Sequence, residues 1–242
     1  MIRKFVSVSF LAVLVLATVS CQKLQARDNL VKGIKAFKET KYEDAVKYFD
    51  TARQQDPDLA DAELYLATSY AQLFNPSLPA EGENEQHARK AIATFEGVLK
   101  KDPKNASAVA GLAGLYQGLK DLNTSREYYK KQTEIEPNNP VPYYAIASTN
   151  WLRVRDRNVP LSEEEKVQAV EEGLQYVDKA LEKDPNYQDA LAYKNLLLRD
   201  KAAATKDPAE AKRLHEEADI FYKKALEVRQ AAANKAAEEA AK

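Results

Sequence analysis

From residue 24 onward the apolar positions fall in steps of three and four, and no stretch alternates polar with apolar as a half-buried strand would. The clearest stripe reads Ala45, Phe49, Ala52. It returns as Ala91, Phe95, Val98, as Ser125, Tyr129, Gln132, as Gly173, Val177, Ala180, and a fifth time as Ala218, Tyr222, Ala225. Steps of four and three put each triplet on one helical face. The small residue lets a neighbouring helix approach, and the ring or branched side chain fills the space beside it. The pattern predicts an all-α chain. Composition agrees, because glycine is scarce (7 residues) and Ala, Leu, Lys, Glu and Gln, which lose least free energy in a helix, dominate.

Four acidic–proline pairs close the first four copies: Asp56-Pro57, Asp102-Pro103, Glu136-Pro137 and Asp184-Pro185. A carboxylate can accept from the free N–H groups at a helix start, and proline fits the first helical position. Each pair is therefore expected to end one helix and start another. Downstream comes a partner helix with its own signature: Leu66-Ala67 with Tyr70, Leu112-Ala113 with Tyr116, and Ile146-Ala147 with Asn150 in place of the aromatic. Gly33 and Ala36 fill the equivalent places ahead of the first triplet. From Pro103 to Pro137 is 34 residues. The intervals on either side are longer by about a dozen, and the excess falls between the two helices of a pair. One insertion is a loop from Asn75 to Gly82. The other turns through Asn158-Val159-Pro160 after a helix ending near Arg155, and restarts at Ser162 with Glu165 three residues on, the spacing of a capping box. In the fifth copy Asp207-Pro208 restarts the second helix, and Lys194 and Asn195 stand where a leucine and a small residue are expected.

Paired helices carrying these small and aromatic residues at a 34-residue period resemble the tetratricopeptide-repeat family over about residues 24–230. The resemblance implies a right-handed superhelix, an α-solenoid of about five helical hairpins, with extended hairpins in repeats 2, 4 and 5. The repeat domain is set at residues 28–230, and residues 231–242 form an Ala/Glu/Lys-rich helical tail. It also implies a concave face lined by the first helix of each pair. The family's groove positions fall on Tyr65, Thr68 and Gln72, on Gly111, Gly114 and Gln117, on Tyr144, Ser148 and Trp151, and on Tyr193. Two uses of the glycines stay open: close approach of a partner's backbone, or relief of crowding between stacked helices. The aromatics either meet a ligand or are buried between helices. Trp151, the single tryptophan, is the preferred anchor. A variant of the family grips acidic chaperone tails with Lys and Asn. At those places this chain has Leu64, Thr68, Ala110 and Gly114, so the acidic-tail clamp is missing. A neutral or apolar peptide, or a partner's helix, is the expected ligand.

The start of the chain differs in kind. Arg3-Lys4 precedes an apolar run from Phe5 to Val19, shorter than the roughly 20 residues that span a bilayer. Residues 1–20 therefore read as an export signal. The run ends at Cys21, the only cysteine, which can form no internal disulfide. The segment resembles the lipobox of bacterial lipoproteins, with Thr18 where leucine is usual. The resemblance implies a lipid on Cys21, simple cleavage or an uncleaved anchor being the alternatives, then a tether over residues 21–27. With Gln22 next, it implies the outer membrane, facing the periplasm.

Charge and chemistry narrow the function further. Lys and Arg number 36 against 37 Asp and Glu, interleaved along the helices, with no basic stripe to neutralise phosphates. Nucleic acid is not an expected partner. His87 and His215 fall in separate repeats with polar neighbours, so no metal cluster forms from them. Gly111, Gly114 and Gly118 lie inside a helix and make no phosphate loop. No cofactor, metal or catalytic set is expected. Two readings remain. One is a non-catalytic scaffold binding a partner in its groove. The other is a structural or regulatory subunit of a cell-envelope enzyme or assembly, such as outer-membrane or pilus biogenesis, without a groove of its own.

Overall fold

The computed structural model describes residues 21–240. Among them every regular element is a helix: α1 over residues 21–38, α2 (Tyr42–Gln55), α3 (Ala60–Leu73), α4 (Gly82–Lys101), α5 (Ala106–Gly118), α6 (Leu122–Ile135), α7 (Pro140–Arg155), α8 (Glu163–Lys183), α9 (Gln188–Ala204) and α10 (Pro208–Ala240). The helices form a solenoid of hairpins, divided into a compact unit ending at Leu119 and another beginning at Lys120. No helix among the described residues is long and apolar enough to cross a membrane. The export signal lies outside the described residues.

In the first unit the triplet sits as the periodicity requires. Ala45, Phe49 and Ala52 are fully buried, and Phe49 shares a cluster with Ala36 and Leu66. The Phe49 ring reaches so far into the hairpin that a Cβ on Gly33 would lie 2.5 Å from its Cε1, and the same ring stacks on Tyr65 with centroids 5.2 Å apart. One repeat later Phe95 presses on α5, where a Cβ on Gly111 would come 2.4 Å from its Cζ. In the second unit the roles reverse. Gly173 on α8 supplies the notch and Leu197 on α9 the bulk, 2.9 Å from where a Cβ would stand. Val177 and Ala180 lie buried beside it with Ala147 and Ala190.

The acidic–proline pairs work differently from the expectation. Asp56, Asp102, Glu136 and Asp184 follow the ends of α2, α4, α6 and α8, but the next helices begin only at Ala60, Ala106, Pro140 and Gln188. Each acidic residue opens a tight turn: its carbonyl accepts from the N–H three residues on, at Leu59, Asn105, Asn139 and Tyr187, over 3.1, 3.1, 3.0 and 3.1 Å. Proline takes the second turn position, where its fixed φ is already correct. The Asp56, Asp102 and Asp184 carboxylates accept from the N–H two residues on, closing the turn rather than capping a helix. Capping falls two residues beyond the proline, where Asn105 and Asn139 use their side chains. Proline does open a helix at Pro140 and Pro208. The capping box at Ser162 and Glu165 is present in both directions.

The ends of the chain also differ. Residues 21–27, read from the sequence as a tether, are helical, and Ala26 is fully buried. Residues 231–240 continue α10 with every side chain exposed. The fifth triplet packs only in part. Ala218 is buried, but Tyr222 is 49 % exposed. No described helix follows α10, and Asn195, which accepts from Arg199 Nε at 2.9 Å, fills the place where Gly33 admits Phe49 in the first hairpin.

Candidate functional site

In the first unit α3 and α5, the first helices of consecutive hairpins, lie against one another. Between them is a cavity of about 670 Å³. Tyr65, Thr68 and Gln72 line it from α3, and Ser107, Gly111 and Gly114 from α5. Phe95 forms part of the floor, and Phe74 and Pro76, from the loop after α3, wall one end. There the α5 backbone meets their side chains closely: a Cβ on Gly118 would be 2.9 Å from Phe74 Cε1 and 3.4 Å from Pro76 Cβ. The loop keeps its shape through Asn84, whose Nδ2 donates to the Asn75 and Pro79 carbonyls at 3.0 Å and whose Oδ1 accepts from the Asn75 N–H at 2.8 Å. Phe74, Pro76, Phe95 and Gly118 were not anticipated as site residues, although the insertion that carries the first two was visible in the spacing.

Gly111 and Gly114 differ in their surroundings. Gly111 relieves crowding, because Phe95 occupies the space a side chain would need, whereas a Cβ on Gly114 would meet nothing within 4 Å. The Thr68 hydroxyl is taken by the Leu64 carbonyl at 2.8 Å. The Gln72 amide and the Ser107 hydroxyl have no hydrogen-bond partner among the described residues. No charged residue lines the cavity, in a chain of which 30% is charged. Gln117 lies on α5, half-buried, outside the cavity lining.

The remaining groove candidates gather in the second unit as an aromatic row. Tyr144 on α7 meets Tyr187 and Tyr193 edge-on at 5.3 and 5.4 Å, and Tyr193 meets Trp151 at 5.5 Å. Trp151 is already occupied. The Arg155 guanidinium lies 3.9 Å from its ring centroid and is held by Asp200 through bonds of 2.8 and 2.6 Å. Its Nε1 is buried with no partner among the described residues. Ser148 is buried and donates to the Ala145 carbonyl at 3.0 Å, so it offers the surface nothing. Burial, assisted by Tyr193 and Asp189, pushes the Tyr144 hydroxyl far above the ordinary tyrosine range. Burial and then Asp189 also raise Tyr193. Both rings stay neutral. At these positions the second unit thus presents a preassembled aromatic wall.

Residues 85–148 match the tetratricopeptide-repeat family. That segment, from α4 into α7, is of the tetratricopeptide-repeat type. Among solved structures of similar fold is MamA, residue 41 to its end, from Desulfovibrio magneticus RS-1: 15% identical, covering 86% of this chain and 96% of that one, TM-score 0.61. Another is YrrB, described as a TPR protein with an unusual peptide-binding site: 15% identical, covering 84% and 90%, TM-score 0.55. No curated protein matches the chain by sequence. At these identities the likeness is one of fold. Stacked hairpins of the tetratricopeptide type present extended surfaces to other proteins.

The second unit also carries a polar network that the sequence did not disclose. Asn150, standing where other repeats have an aromatic, is fully buried on α7. Its Nδ2 donates to Glu172 Oε2 on α8 at 3.1 Å, and its Oδ1 accepts from Arg153 at 3.1 Å. Arg126 and Lys130 on α6 reach the same Glu172 at 3.0 Å each. Burial would raise the Glu172 carboxyl, but the Lys130 hydrogen bond, the Arg126 charge and the Asn150 amide together hold it below the usual range. Burial, then the like charge of Arg126, lowers Arg153. The network ties three consecutive helices together.

The histidines stay apart. His87 lies 4.0 Å from Glu83, and His215 is exposed. Among the described residues no group of three or more His, Cys, Asp or Glu side chains could hold a metal. Cys21 is exposed at the start of α1.

Proposed function

We propose that this protein is a non-catalytic scaffold of the bacterial cell envelope that holds an uncharged segment of a partner protein in the cavity between α3 and α5. The observation carrying this reading is the cavity itself. Its volume of about 670 Å³ falls in the ~300–1,000 Å³ range in which proteins hold ligands. Its lining is wholly uncharged, its middle lies open over Gly114, and two polar groups, Gln72 and Ser107, are free to bond a peptide backbone. A charged ligand would lose hydration there without gaining a counter-charge. An extended apolar peptide, or the apolar edge of a helix, loses little. That YrrB, of the same fold, is described as binding peptide supports the choice of ligand.

Gly114→Trp tests this reading, since Gly114 lines the cavity and a Cβ there would meet nothing within 4 Å. Peptides selected from a random library on the wild-type protein should be poor in Asp, Glu, Lys and Arg. They should bind the variant at least about tenfold more weakly, a loss of about 1.4 kcal/mol, while the thermal melt holds. Selection of charged peptides, or equal binding by both proteins, would refute it.

The envelope location rests on the apolar run of residues 5–19 and on Cys21 directly after the signal. Expressed in a bacterium, the mature protein should begin at Cys21 and weigh more than its amino-acid sequence by two or three acyl chains. An intact-mass measurement returning an unmodified or uncleaved chain would overturn the anchor.

A further inference from the structure

The second unit holds a recess whose chemistry is unlike that of the cavity between α3 and α5. It lies between the first turns of α8 and the last turn of α9, beside the end of α7, and has a volume of about 330 Å³. Part of its lining is aliphatic: Val154 from α7, Val167 and Val170 from α8, Ala203 and Ala204 from α9. Val167 is 42% exposed, so apolar surface there is open to a ligand. The rest of the lining is charged. Glu163, Lys166 and Glu171 come from α8, at helical spacing with the two valines, and Asp200 and Lys201 come from α9. Most of that charge is already answered. Lys166 donates to Glu163 at 2.6 Å, and Asp200 holds Arg155 through bonds of 2.8 and 2.6 Å. What is left is one charge of each sign. The Glu171 carboxylate and the Lys201 ammonium make no hydrogen bond or ion pair among the described residues, with each other or with any other group. Lys201 acts only at longer range, as the least of the influences on the Glu210 carboxyl, which Arg213 holds.

We infer that this recess binds a small zwitterion with an aliphatic body, the chemistry of a free apolar amino acid or a very short unblocked peptide. Its ammonium meets Glu171 on α8, its carboxylate meets Lys201 on α9, and its side chain rests on the aliphatic lining. Charge complementarity selects this class. A simple amine answers Glu171 but is repelled by Lys201, and a simple carboxylate meets the opposite conflict. An uncharged apolar molecule leaves both groups without a partner. A volume at the lower end of the ~300–1,000 Å³ range of ligand sites suits a molecule of this size better than a segment of protein.

The test is an NMR titration of the whole protein that follows the methyl signals of Val154, Val167 and Val170. The probes are L-leucine, L-leucyl-L-leucine and two leucine analogues that each lack one charge: 4-methylpentanoate, without the ammonium, and 3-methylbutylamine, without the carboxylate. Leucine or the dipeptide should shift the three signals saturably, and the tighter of the two identifies the source as free amino acid or peptide. Each analogue should bind about fivefold more weakly than leucine, the upper range for a partly exposed charge pair. Both analogues are smaller than leucine, so neither loss can be steric. Glu171→Gln should weaken leucine and 3-methylbutylamine but not 4-methylpentanoate, and Lys201→Met should weaken leucine and 4-methylpentanoate but not 3-methylbutylamine. Neither side chain has a partner to lose, so both variants should melt with the wild type. Gly114→Trp should change none of these titrations, which separates this recess from the cavity between α3 and α5. The proposal is overturned by the absence of a saturable shift with leucine and the dipeptide, by analogues that bind as tightly as leucine, or by leucine binding indifferent to both substitutions.

Discussion

Gly111→Leu should lower the unfolding free energy by about 3 kcal/mol, the upper part of the range for overpacking a filled core. A Cβ at this position would stand 2.4, 2.7 and 2.8 Å from three carbons of the Phe95 ring, closer than such atoms approach. Phe95 is 2% exposed, so displacing its ring breaks the packing around it. Either the ring leaves its rotamer or α5 withdraws from α4, and both forfeit packing. A fall in the urea midpoint at constant slope is the readout. Phe95→Ala alone should also destabilise, by about 3–5 kcal/mol through the cavity it leaves. The double variant should then cost less than the two singles together by about 1–3 kcal/mol, because the new leucine fills the space the ring vacated. Gly114→Leu, one turn away over open space, should be neutral or slightly stabilising, as leucine is the better helix former. Additive single effects at 95 and 111 would mean that the ring is not lodged against α5.

Glu172→Ala should cost about 2 kcal/mol, less than the ~3–5 of a fully buried ion pair because the side chain is 26% exposed. The loss leaves Arg126, Lys130 and the Asn150 amide without their shared acceptor, and Arg126 beside Arg153 with only the weaker influence of Glu127 and Glu165 to offset the like charges. Glu172→Gln, which keeps an acceptor for Asn150, should fall between. The pH dependence has a definite sign. The folded carboxyl titrates below its ordinary value of 4.5, so the folded state binds fewer protons than the unfolded one in that region. The stabilisation is complete above that value and is lost as pH falls through the lower folded one. Urea midpoints of the wild type should therefore decline in acid more steeply than those of Glu172→Ala, the two curves converging at the lowest pH. Parallel curves would show that Glu172 is not the paired group.

What was legible in the sequence, and what was not, follows from the range of each interaction. The triplets, the insertions at Asn75 and Asn158 and the capping box at Ser162 are local, set by helical period and by backbone groups a few residues apart. They could be read directly. The acidic–proline pairs mark where the helices end but not what the carboxylate does there, because a carboxylate followed by proline suits both a helix start and a turn, and the sequence does not say how many residues separate the two helices. Tyr222 kept its place in the pattern yet lost its cover, since periodicity reports the face and not the neighbour. The Glu172 network joins residues 46 apart, from Arg126 on α6 to α8, and no local signal announces such a pairing. For the site, Gly111 and Gly114 were picked out together. Only the position of the Phe95 ring distinguishes the one that fits a neighbour from the one that faces open space.

The pairing of each bulky side chain with its own glycine fixes the order of the hairpins. Phe95 projects forward from α4 into α5, whereas Leu197 projects backward from α9 into α8. A hairpin moved to another slot would set ring against ring or leave a hole, so the modules are not interchangeable parts despite sharing a period. Lengthening, shortening or shuffling the array by recombination should fail at these joints unless the partner residue travels with it.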